Sequence, residues 1–158
     1  MNTMVLLRVV HVLSIILWIG GVAMVTTVLL PALRRMDHDG NPIDLFERIE
    51  GAFGLQAKIT TTLAGASGFL LLHLLHGWGR YLEPRFWWLH LMTLVWLLFT
   101  VVLFVLEPLV LHRWFHEQGA LHPAETLARA HRLHVVLLAL SLVAAAGAIA
   151  GSHGWFLF

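Results

Sequence analysis

Residues 4–33 read MVLLRVVHVLSIILWIGGVAMVTTVLLPAL, with a single charged side chain, Arg8. A helix needs about 20 apolar residues to cross a hydrocarbon core about 30 Å thick, so this stretch is long enough to span a bilayer. It is too long for the apolar region of a signal peptide, and no small-residue cleavage pattern comes before Arg34 and Arg35. We therefore read it as a retained membrane helix.

Three further stretches follow the same rule, at about 53–76, 84–112 and 130–155. Over the 158 residues, 59% are apolar and only 12% charged, and the charges gather between the apolar stretches. The expected fold is all-α, a single integral membrane domain built as a four-helix up-and-down bundle. The second stretch carries Thr60, Thr61, Thr62 and the small run Ala64-Gly65-Ala66-Ser67-Gly68, which suits close helix contact in lipid. Pro84 fits a first helical turn, and Pro108 should kink the third helix or end its regular part. Asn41 and Pro42 read as the cap and first turn of a short interfacial helix, with Leu45, Phe46, Ile49 and Phe53 on its apolar face. The 123–132 segment reads as a polar lead-in to helix 4. Gly20-Gly21 and the Gly147 to Gly151 spacing allow close backbone approach and make a homodimer a candidate partner arrangement.

Basic residues orient the bundle. Arg34, Arg35, Arg48, Lys58, Arg113, Arg129 and Arg132 belong to one side, and Arg8, Arg80 and Arg85 to the other. The positive-inside rule makes the first group cytoplasmic. Both termini then lie outside, and the expected location is the cell (inner) membrane. The net charge of +1 contains no polybasic run, so the lipid bilayer is an implied partner and nucleic acid is not. No cysteine is present, which removes disulfides, thiolate-bound metal and covalent Cys-x-x-Cys-His haem.

The chemistry rests with histidine. His11 lies about 4–5 Å inward of Arg8. His76 and His73 lie about 6 and 10 Å from Arg80, and His90 about 7–8 Å from Arg85. All four fall at one level of one face, where an ionisable side chain is costly and needs a partner. Imidazoles from facing helices can bind a haem iron, with Leu7, Leu72 and Phe69 against the macrocycle. We expect non-covalent haem b with His11 as one axial ligand and His73 or His90, ahead of His76, as the other. Trp78, Tyr81, Trp87 and Trp88 read as an interfacial aromatic belt. A second, weaker set comprises Glu107, His112, His116, His131 and His134, with Arg113 or a helix 4 histidine as the partner of Glu107.

The segment His11-Val-Leu-Ser-Ile-Ile-Leu-Trp18-Ile-Gly20-Gly21, followed by Leu30-Pro31-Ala-Leu-Arg34-Arg35, resembles the opening of copper-resistance-D-like membrane proteins and HemJ-type protoporphyrinogen oxidases. Trp87-Trp88-Leu89-His90 extends the likeness. The resemblance implies a helix 1 histidine associated with haem or metal, which falls on His11 alone; Trp18, two turns on, is our further candidate for a cofactor-binding position. Met92 stands where HemJ-type proteins carry a lysine.

The functional expectation is an electron-transfer or small redox role, possible for a membrane haem oxidoreductase, with a quinone, small oxidant or redox protein as partner. The alternatives are handling of copper or another divalent metal, a HemJ-like protoporphyrinogen oxidase, and a cofactor-free structural subunit.

Overall fold

The computed structural model describes residues 3–36, 42–111, 117–118 and 121–155, and among these no strand occurs. Four long helical segments carry the fold. We label them α1 (Thr3–Leu33), α2 (Pro42–Leu74), α3 (Trp87–Val101, running on as π-helix over Val102–Leu111) and α4 (Pro123–Ser152).

α1 changes to π-helix over Val25–Leu29 just before the turn that holds Pro31, and the π segment of α3 contains Pro108. A proline in a helix has no N–H to donate and crowds the preceding turn. Widening the turn to i→i+5 spacing relieves both problems without ending the helix. The regular α-helical part of α3 ends at Val101, ahead of Pro108, and the chain passes the proline as π-helix.

The structure corrects the sequence boundaries at α2. The interfacial helix and the second apolar stretch are one helix, Pro42–Leu74. Gly51 and Gly54 lie at the expected junction, but glycine costs a helix interior only about 1 kcal/mol and no proline follows. The lead-in to helix 4 is likewise continuous with it. Helix 3 is preceded by 3₁₀ turns at Gly77–Leu82 and Pro84–Phe86, so its α-helical part begins later than expected, at Trp87.

Three of the segments, Thr3–Leu33, Pro84–Leu109 and Pro123–Ser152, are long and apolar enough to cross a membrane. Their outward faces carry exposed apolar side chains, among them Val5, Val9, Val12 and Ile16 on α1. An apolar surface this continuous calls for lipid. α2 departs from the three because Asp44, Glu47, Arg48, Glu50 and Lys58 interrupt it.

Inside, α1 packs most extensively on α2, and α3 on α4. The central core joins Trp18 and Val22 of α1, Ala64 of α2, Val95 and Phe99 of α3, and Leu137 and Leu138 of α4. Trp18 meets Phe99 edge to face, with ring centroids 4.8 Å apart. A second core of Val25, Leu30, Leu33, Ile43, Phe46 and Leu127 closes the end that carries Arg34. The helices approach through glycine. A β-carbon on Gly21 would strike the Phe53 ring, and one on Gly147 would lie 2.6 Å from Trp87. Gly151 receives the indole of Trp88. Trp88 is therefore buried core rather than part of an interfacial belt, and the Gly147–Gly151 spacing takes tryptophans of the same chain.

Candidate functional site

A cavity of about 240 Å³ opens between the four helices toward the end that carries Arg80. Its walls include Ile15 and Trp18 of α1, Leu72 and Phe69 of α2, Trp96 of α3 and Ala144 of α4. His11 and Arg80 also line it. The lining is overwhelmingly apolar, as expected of a small-molecule site, though the volume falls just below the roughly 300–1,000 Å³ usual for larger ligands.

His11 is held from one side. Its Nδ1 lies 2.9 Å from the Ala64 carbonyl and 3.2 Å from Ser67 Oγ. A carbonyl only accepts, so the bond to Ala64 puts the proton on Nδ1 and leaves Nε2 unprotonated, with no donor to it among the described residues. The ring lies over Gly68, where a β-carbon would come within 2.9 Å of Cε1. The small run of α2, read from sequence as a packing feature, is thus the seat of the imidazole.

Most polar groups around the cavity are satisfied within the protein. Trp96 Nε1–H donates to the Thr61 carbonyl at 3.0 Å. The Ser141 hydroxyl donates to the Leu137 carbonyl at 2.7 Å. Thr93 donates to the Leu89 carbonyl, and so accepts from the Tyr81 hydroxyl at 2.6 Å. Trp18 is the exception: it is 4% exposed, lines the cavity, and its Nε1–H has no acceptor among the described residues.

The expected histidine layer is only partly assembled. His73, His76 and His90 are exposed and do not line the cavity. His76 follows the end of α2 in the left-handed region, at φ 51°, and opens the 3₁₀ turn Gly77–Leu82. Both ring nitrogens of His90 face backbone carbonyls, Nε2 that of Tyr81 at 3.0 Å and Nδ1 that of Phe86 at 3.3 Å. Of the four histidines of the expected layer, His11 alone lines the cavity. Of the expected macrocycle contacts, Leu72 and Phe69 line the cavity and Leu7 does not. Tyr81, assigned from sequence to the aromatic belt, lines it as well. The turn at Gly77–Leu82 brings it there, and helical periodicity carries no signal for such a turn.

The second set does not converge. Glu107 pairs with Lys58 Nζ at 3.1 Å, both side chains about one-third exposed, rather than with a helix 4 histidine. His131 Nδ1 accepts from Arg34 at 3.1 Å, and His134 Nδ1 donates to the Ala130 carbonyl of its own helix at 2.9 Å. His112, Arg113 and His116 lie outside the described residues. No group of three histidine or acidic side chains suited to a metal ion occurs among the described residues. The sequence reading missed Glu50, in the polar first turns of α2. Burial first, then the charges of Glu107 and Glu47, push its carboxyl up to about 7.

The fold and cavity define a multi-pass helical membrane protein with an apolar internal site. No family model, no curated protein and no solved structure matches the chain.

Proposed function

We propose that this chain is a four-span membrane redox protein that holds a planar, largely apolar redox-active ring against His11. α2 is the fourth span, crossing with its apolar part from about residue 53 while its charged first turns lie at the surface. The excess of basic residues at the Arg34 end makes that end cytoplasmic and opens the cavity toward the outer face of the cell membrane.

The observation that carries the reading is the His11 imidazole, anchored at Nδ1 in the wall of an apolar cavity lined by four helices. Imidazoles held in this way serve as metal ligands and as hydrogen-bond partners of bound rings. Two ring classes suit it. Haem b, expected from the sequence, would take His11 as its one protein ligand and place its carboxylates toward Arg80, and when bound it would supply one-electron chemistry. A quinone would use Nε2 as a hydrogen-bond partner.

The test is a reduced-minus-oxidised absorption spectrum of the detergent-purified protein. A Soret band with a reduced α-band identifies haem, and a near-ultraviolet change alone identifies a quinone. A flat difference spectrum, persisting after incubation with haemin and with a short-chain quinone, would overturn the proposal.

A further inference from the structure

We infer that the outward groove between α1 and α2 is covered by a second copy of this chain, with the Gln56 amides of the two copies hydrogen-bonded to each other across a two-fold axis. The inference is independent of the redox reading of the cavity.

The groove runs along the outside of the bundle, walled by Val10, Leu13 and Leu17 of α1 and by Leu55, Ile59 and Leu63 of α2. Leu13, Leu17, Leu55 and Ile59 are each more than half exposed. Lipid chains would match a groove made of such side chains alone, because lipid is as apolar as leucine. Gln56 breaks that match. Its side chain is exposed and lines the groove, where Nε2 donates to the Leu17 carbonyl at 3.4 Å. That long bond engages one of the two N–H groups of the amide. Among the described residues, neither the second N–H nor Oε1 has a partner.

Depth makes this costly. Leu17 is nine residues from Arg8 and seventeen from Arg34, which is about 14 Å and about 25 Å along α1. Because α1 is long and apolar enough to span the bilayer, the Gln56 amide lies at hydrocarbon depth, out of reach of the headgroups. Hydrocarbon holds no water, and an acyl chain offers neither donor nor acceptor.

A second copy offers both. A primary amide is its own complement, a donor beside an acceptor, and a two-fold axis sets a residue near it against the same residue of the other copy. Oε1 of each amide then accepts from Nε2 of the other, while the surrounding leucines and Ile59 close over the pair and exclude lipid. Glutamine side chains that bond across helices hold membrane helices together in this way.

The experiment exploits the absence of cysteine from the chain. Ile59→Cys places one thiol in the groove, one turn from Gln56, and Ile149→Cys places one on the exposed face of α4 as a control. Oxidation in native membranes should give a disulfide-linked dimer with Ile59→Cys and severalfold less with Ile149→Cys. Energy transfer between donor-labelled and acceptor-labelled copies, diluted in phosphatidylcholine vesicles, then gives the dimer dissociation constant. Gln56→Leu should raise it about tenfold and leave the melting temperature of the chain in detergent unchanged. Equal cross-linking of the two cysteine variants, energy transfer no greater than random proximity for the wild type, or undiminished dimerisation of folded Gln56→Leu would each overturn the proposal.

Discussion

The imidazole of His11 lies over Gly68 of the neighbouring helix, so close that a β-carbon there would sit 2.9 Å from Cε1. This seat, together with the Nδ1 bond to the Ala64 carbonyl, holds the ring in the cavity wall. Gly68→Ala should push the ring off its seat. The expected cost is about 1–3 kcal/mol of stability, as for other overpacked sites, and ligand binding in the cavity should fall with it. Thermal unfolding in detergent and a ligand titration check the two effects. A variant as stable as the wild type, with undiminished binding, would show that the seat is not needed.

Gly151 and Gly20 should respond in opposite directions. Gly151 receives the Trp88 indole, whereas a β-carbon on Gly20 meets nothing within 4 Å. Gly151→Ala should destabilise by about 1–3 kcal/mol by overpacking. Gly20→Ala should be neutral or stabilising by up to about 1 kcal/mol through helix propensity. Melting temperatures of the two variants, measured side by side, test the packing of α3 on α4 within one chain.

Lys58 and Glu107 form an ion pair between α2 and the π segment of α3. Lys58→Met removes one charge and leaves the other poorly solvated. Because the pair is about one-third exposed, we expect a loss on the order of 1–2 kcal/mol, less than the roughly 3–5 kcal/mol seen for fully buried pairs. The double variant Lys58→Met with Glu107→Met should recover most of it. A double-mutant cycle with no coupling would contradict the pairing.

Glu50 sets a pH dependence. Its carboxyl, at about 7 in the folded protein against an ordinary value of 4.5, holds its proton more tightly when folded. Between those values the folded state binds more protons than the unfolded one, so stability falls as pH rises from about 4.5 to about 7 and is level above. Screening at this half-buried site limits the change to on the order of 1–3 kcal/mol. Glu50→Gln should flatten that slope and be the more stable protein at pH 8. Equal slopes for the two proteins in unfolding experiments from pH 5 to pH 8 would refute the assignment.

Much of this arrangement could be read from the chain. Residues 4–33 announce α1 by length and apolar content. The small run at 64–68 marks where another helix comes close. Other features depend on contacts that periodicity does not encode. His90 is drawn to the Tyr81 carbonyl by a 3₁₀ turn, and Trp88 is buried by glycines more than fifty residues away. Trp18 could be flagged only as a neighbour of His11, since an unspent N–H becomes visible only once every acceptor around it has been placed. The join of the interfacial helix to α2 was missed because charged residues resemble a boundary, although a helix needs a proline or a cap to stop.

The central claim is that a redox ring is held against His11. Its most direct test is the quinone and haem content of the purified wild-type protein, compared with folded His11→Ala, by organic extraction and absorption spectroscopy. We predict about one ring per chain in the wild type and a severalfold loss in the variant. Absence of both groups from the wild type, or an unchanged content in His11→Ala, would contradict the account.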